Sequence, residues 1–332
     1  MEQIRKISVS TSPYLKDAIT TPKIMMTVVY TLVPIVLISI FYFGLAALLI
    51  TLTAVFSCMF TEWLFNKPSD RLQSLKDGSG LITGLLLALT LPPGFPLWMV
   101  FVGGVVAIGM GKAMWGGLGQ NVFNPALLGR AFLQAAFPTA ITTWSPPDGR
   151  YFGIRGTNAA LPFFQGESID ATTGATPLSK MKFDHIGTDL WDLLVGATGG
   201  SLGETCALLL IFMGGFLLFK KIIDWRLPVS ILGTVVILSG VFYLINPEVY
   251  PSPVFMILSG GLLLGTVYMA TDLVTSPMAP KGTWIYGVGI GILVVLIRNW
   301  GGLPEGVMYA ILLMNAGTPL INRFTKIRTY GH

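Results

Sequence analysis

The stretch "DATTGATPLSKMK", Asp170 to Lys182, gathers a carboxylate, several hydroxyls and two residues with almost no bulk. Gly174 and Ala175 leave the Thr176 hydroxyl open to a large group, and Pro177 discourages a helix from running through it. Asp170 can hold a metal or take a proton. The same composition also builds an ordinary surface loop of Asx and Ser/Thr turns, so these residues alone leave both readings open.

Other polar residues stand out because their surroundings are greasy. Asp272 in "YMATDLVTSP" lies near the end of an interrupted apolar run, where a carboxylate is costly unless paired, solvated or used. It is a candidate for an ion path, with a helix-end cap or structural ion pair as the alternative. Asn121 and Asn124, beside Pro125, can open a helix and expose carbonyls to a cation, or simply form a turn. Glu204 in "GGSLGETC" is expected to cap a helix N-terminus. Lys112 and Arg130 flank one short span and are expected to snorkel to the interface. Cys58 and Cys206 sit in separate apolar runs and read as core residues, and with His185 and His332 the only histidines, no metal site is expected.

These residues belong to a chain of 332 residues that is 53% apolar and only 11% charged, where soluble domains carry about 25% charged residues. The composition is that of an all-α polytopic membrane protein. The net charge of +5 is what basic cytoplasmic loops supply, so no nucleic-acid partner is inferred. Apolar runs predict ten spans: two in a hairpin over Thr27 to Phe60 turning near Gly44, then Leu81–Leu91, Pro96–Gly111, Phe123–Phe137, Cys206–Phe219, Leu227–Ile245, Val254–Ala270, Thr283–Ile297 and Gly306–Leu320. With both termini inside, the outer Lys and Arg are Arg130, Arg150, Arg155, Lys180, Lys182 and Arg298, most of them in one long connection that the positive-inside rule weighs lightly. That arrangement puts Thr176 on the extracytoplasmic side.

"MWGGLG" at Met114 recurs as "NWGGLP" at Asn299, a displacement of 185 residues that also carries Gly80 onto Gly265. Five spans precede the long connection and five follow it; an odd number per repeat inverts one half relative to the other. The expected organisation is a cytoplasmic tail over 1–26, a first five-helix repeat over 27–137, an extracytoplasmic segment over 138–200, a second repeat over 201–321 and a cytoplasmic tail over 322–332. In such repeats the short, Gly/Pro-interrupted helices in matching positions point to a binding site, here Leu81–Leu91 and Val254–Ala270.

The chain resembles the RnfD/NqrB family of membrane subunits from ion-translocating Rnf and sodium-pumping NADH:quinone oxidoreductase complexes. The resemblance rests on the Thr176 stretch, "DGSGLITGLLLALTLPPG" (Asp77–Gly94), "GGLGQNVFNPALLGRAFL" (Gly116–Leu133), "GGSLGETCAL" (Gly199–Leu208), "YMATDLVTSP" (Tyr268–Pro277) and "TPLINRFTKIRTYGH". The short N-terminal tail is similar to the RnfD branch, with an NqrB-type subunit as the alternative. The resemblance implies a fold similar to urea transporters and FMN joined by a flavin transferase through its phosphate to Thr176. Asp170, Thr173, Gly174 and Ala175 complete that motif, Thr173 standing where the family commonly has Ser. A second, noncovalent flavin such as riboflavin occurs in relatives, and nothing in the sequence locates it. The implied role is a translocase subunit in a prokaryotic inner membrane, passing electrons between ferredoxin and NAD while Na+ or H+ moves. The chain is not expected to be active alone: it lacks a Rossmann glycine pattern and a cysteine cluster, so ferredoxin and NAD must meet other subunits. A passive solute channel on the same fold and a purely structural anchor are the competing classes.

Overall fold

The computed structural model describes residues 20–68, 71–145, 152, 156–162, 175–196, 198–204 and 206–325. Among these residues the chain is entirely helical. The helices are α1 (Thr21–Phe43), α2 (Leu45–Phe65), α3 (Arg71–Lys76), α4 (Ser79–Leu89), α5 (Leu97–Gly111), α6 (Pro125–Ala136), α7 (Pro138–Thr142), α8 (Pro177–Ser179), α9 (Leu190–Val195), α10 (Ala207–Phe219), α11 (Arg226–Ile245), α12 (Pro253–Leu258), α13 (Leu262–Leu264), α14 (Pro280–Trp300) and α15 (Val307–Phe324). Short wider turns extend α8 over Lys180–Asp184 and α13 over Gly265–Met269. Five helices are long and apolar enough to cross a membrane: α1, α2, α5 with its continuation to Trp115, α11 and α14. The chain is a polytopic, all-helical membrane protein.

Local chemistry sets the boundaries. Gly44, at φ 66°, turns the chain between α1 and α2 as the apolar pattern anticipated. Pro125, Pro253 and Pro280 each open a helix, where a missing N–H costs nothing. Asn124 caps α6 by accepting from Ala126 N at 3.1 Å and Leu127 N at 3.3 Å, and Ser252 caps α12 by accepting from Phe255 N at 3.3 Å.

Packing repeats along the chain. In the first part α2 packs on α5 and α5 on α6; in the second α11 packs on α14 and α14 on α15. Both long pairs close through small residues. A Cβ on Gly104 would overlap Ser57 Oγ, and one on Gly287 would overlap Ser230 Oγ, the close backbone approach by which helices associate without a hydrophobic drive in lipid. Short elements stand in matching places: α3 and α4 beside α2, α12 and α13 beside α11.

The predicted span Val254–Ala270 is not one helix. It breaks at Ser259-Gly260-Gly261, with Gly260 at φ 67°, and continues as α13 and its wide turn. Both α4 and this second broken element are buried on nearly all sides, the state expected of a helix apolar all round. They also tie the two parts together. Leu202 N donates to Leu91 O at 3.1 Å, Tyr268 Oη to Thr31 O at 3.3 Å, and Asn124 Nδ2 to Met269 O at 3.2 Å.

Candidate functional site

Three assemblies of polar groups sit on this frame. The first is an open cleft beside α4 and the wide turn that follows α13. Ser79 and Thr83 of α4, Lys112, Asn121, Asn124, Thr271 and Asp272 supply its polar wall, and Val28, Leu86 and Val267 an apolar one. Asn124 and Asp272, far apart in sequence, thus share one cavity. Asp272 accepts from Val274 N at 3.3 Å and from the Thr275 hydroxyl at 3.2 Å, so it also closes the turn that follows the break. Asn124 spends its oxygen on the α6 cap and its amide on Met269 O, a carbonyl in the wide turn, where such turns often mark functional positions.

Lys112 does not snorkel. It is 5% exposed, its Nζ lies 2.5 Å from Glu62 Oε1 and donates to Ser79 Oγ at 2.5 Å, and Asp77 Oδ2 stands 3.9 Å away. Glu62 is 2% exposed and also accepts from the Ser74 hydroxyl. Buried at the C-terminal end of α5, the ammonium pairs with groups inside the protein. Glu62, inside "CMFTEWLF", escaped the reading of the sequence, although an acid in an apolar span is itself a signal.

The second assembly gathers Arg130, Glu204, Arg298 and Glu305. Arg130 Nη2 lies 3.6 Å from Glu305 Oε2, and Arg298 Nη2 lies 3.9 Å from Glu305 Oε1. Arg298 also donates to Met256 O at 2.5 Å and Ser259 O at 3.0 Å, holding the two carbonyls that border the break before α13. Gly261 N donates to Glu305. Arg130 is therefore a buried ion-pair member, not a snorkelling side chain. Glu204 accepts from Ser201 N at 3.3 Å within its own short turn, and the N-cap of α10 is Cys206, with no side-chain cap, so the expected helix cap is not formed.

The third is the turn carrying Thr176. Ala175 is exposed, whereas Thr176 is 6% exposed and caps α8: its Oγ1 accepts from Ser179 N at 3.2 Å and meets Ser179 Oγ at 2.9 Å. Leu178 anchors the turn in a small apolar cluster with Leu193 and Phe255. Lys182 reaches across to the corner between α14 and α15, donating to Ile297 O at 3.3 Å, Leu303 O at 3.0 Å and Gly301 O. Burial there pushes its ammonium below the usual lysine range. Asp170, Thr173 and Gly174 lie outside the described residues. Thr176 does not line the cleft that holds Asn124 and Asp272.

A buried short helix, a buried broken one, a polar cleft beside them and internally paired charges mark a polytopic helical membrane protein that carries polar groups inside its bundle. The family model described as NQR2, RnfD, RnfE matches residues 8–331, and the chain belongs to that family. It is 40% identical over 341 residues, 99% of this chain and 98% of the relative, to the D subunit of a proton-translocating ferredoxin:NAD(+) oxidoreductase complex of Clostridium ljungdahlii. It is also 40% identical over 329 residues, 98% of this chain and 95% of the relative, to the D subunit of an Na(+)-translocating ferredoxin:NAD(+) oxidoreductase complex of Acetobacterium woodii. The D subunit of an ion-translocating oxidoreductase complex of Stutzerimonas stutzeri is 40% identical over 93% of this chain and 92% of its own length. These relatives are named as subunits of ion-translocating oxidoreductase complexes. Equal identity to a proton-named and a sodium-named relative leaves the coupling ion open.

Proposed function

We propose that the chain is the flavin-bearing membrane subunit of an Rnf-type complex that couples electron transfer between ferredoxin and NAD to movement of Na+ or H+ across a prokaryotic inner membrane. The observation that carries this reading is similarity along nearly the whole chain to the D subunits of such complexes. The matched packing of α2–α5–α6 and α11–α14–α15 supports a repeat organisation; in this reading the repeats are two inverted five-helix units, and the basic residues of the inner loops put both termini in the cytoplasm and Thr176 outside. The other Rnf subunits supply the ferredoxin and NAD sites, and a flavin transferase matures the chain.

In this reading Thr176 carries FMN as a phosphoester. The residue fits the role: its hydroxyl is already the acceptor for Ser179 N, and a phosphate oxygen on the same side chain can take over that hydrogen bond. The flavin supplies one- and two-electron chemistry, and the protein supplies its place. Ala175 beside Thr176 is exposed, and Asp170, Thr173 and Gly174 complete in sequence the motif that the transferase reads. Asn124 and Asp272 lie on the ion path, where a carboxylate, amide oxygens and hydroxyls in one cleft offer the hard oxygen ligands that small cations prefer. A second, noncovalent flavin such as riboflavin belongs to the same reading, with no residue of this chain assigned to it.

The test uses inverted vesicles holding the whole complex. Reduced ferredoxin and NAD are added, and Na+ uptake and acidification are followed with a protonophore or a sodium ionophore present. Ferredoxin-dependent gradient formation that disappears in Thr176→Ala supports the proposal; a gradient undiminished in that variant contradicts it.

A further inference from the structure

Lys182 does not behave as a surface lysine. It has no acidic partner among the described residues, and its three donors meet three carbonyls, those of Ile297, Gly301 and Leu303. These carbonyls end α14 and begin the link to α15, where a cation is favoured; Ile297 O also accepts from Gly301 N at 2.8 Å. The same corner is held from inside by Arg298, which reaches the carbonyls of Met256 and Ser259. Beside Arg298 lies Gly260, where an added Cβ would stand 2.5 Å from Leu178 Cδ1, 2.9 Å from Glu305 Oε1 and 3.1 Å from Arg298 Nη2. The Thr176 turn therefore rests directly on the break before α13, with Leu178 seated over a glycine and Lys182 fastened beyond it.

We infer that Lys182 is a positioning residue: it clamps the Thr176 turn onto the α14–α15 corner and so fixes the flavin that Thr176 carries against the broken helix formed by α12 and α13. The inference rests on the proposed attachment at Thr176. Without the clamp the turn keeps the apolar contacts of Leu178 and Met181 and its own short hydrogen bonds. The flavin then stays attached but loses its fixed place.

The experiment compares parent, Lys182→Met and Lys182→Arg, each in the assembled complex and each also in a Thr176→Ala background. Hydrogen exchange of the peptide spanning 176–186 reads the clamp without any flavin. Lys182→Met is expected to exchange at least about tenfold faster in both backgrounds, since local opening draws on the lost hydrogen bonds, and Lys182→Arg to stay close to the parent. Iodide quenching of native flavin fluorescence reads the cofactor: it rises several-fold in Lys182→Met, while fluorescence of the denatured band is unchanged. Exchange equal to the parent's overturns the clamp, and faster exchange with unchanged quenching overturns its role in placing the flavin. A parent band dark after denaturation overturns attachment at Thr176 and flavin placement with it, and the exchange data then still decide the clamp.

Discussion

Replacing Lys112 by Met tests whether the buried charges are a working part of the fold. In the parent, Glu62 has the Lys112 ammonium at 2.5 Å and the Ser74 hydroxyl, and its Oε2 has no hydrogen-bond partner among the described residues. Removing the ammonium strands a carboxylate that is 2% exposed. Breaking a buried pair from one side costs about 3–5 kcal/mol. At about 2 °C per kcal/mol for a chain of this size, the apparent melting temperature falls by roughly 6–10 °C. Glu62→Gln costs less, because Lys112 keeps Ser79 and has Asp77 3.9 Å away. The double variant Glu62→Gln with Lys112→Met no longer buries a lone charge and recovers about 2 kcal/mol of the single loss. The assay is thermal unfolding of the purified complex in detergent, followed by tryptophan fluorescence. A Lys112→Met protein that melts with the parent, or a double variant that melts no higher than Lys112→Met, would refute the reasoning.

Gly104→Val drives a branched side chain into Ser57 of α2; overpacking of this kind costs about 1–3 kcal/mol or more, and adding Ser57→Ala restores part of the loss in the same melting assay. Asp272→Ala slows ion transport by about tenfold, the equivalent of about 1.4 kcal/mol in a barrier, while the flavin stays attached. Unchanged transport in sealed vesicles removes Asp272 from the path.

Much of the frame was legible in the residues. Gly44 announced the hairpin because only glycine takes its φ of 66° without strain, and Asn124-Pro125 announced a helix start through cap and ring chemistry. The displacement of "WGGLG" and "WGGLP" agrees with two sets of long helices that pack in the same order. The charges were read less well. Lys112 and Arg130 look like interface residues in a one-dimensional pattern, because the partners that bury them, Glu62 and Glu305, are 50 and 175 residues away and are brought near by tertiary packing alone. The break before α13 was half visible: Gly260 and Gly261 mark it, but the apolar run continues through it. Clustering of Asn124 with Asp272 depends on the start of α6 meeting the end of the broken helix, which no local pattern encodes.

The central claim is that Thr176 carries the flavin, and one measurement addresses it directly. The chain is produced with its flavin transferase, separated on a denaturing gel and viewed for ultraviolet-excited flavin fluorescence beside Thr176→Ala. Attachment at Thr176 predicts a fluorescent parent band and a dark Thr176→Ala band of equal protein content. A parent band that stays dark with a demonstrably active transferase, or a Thr176→Ala band as bright as the parent, would contradict it.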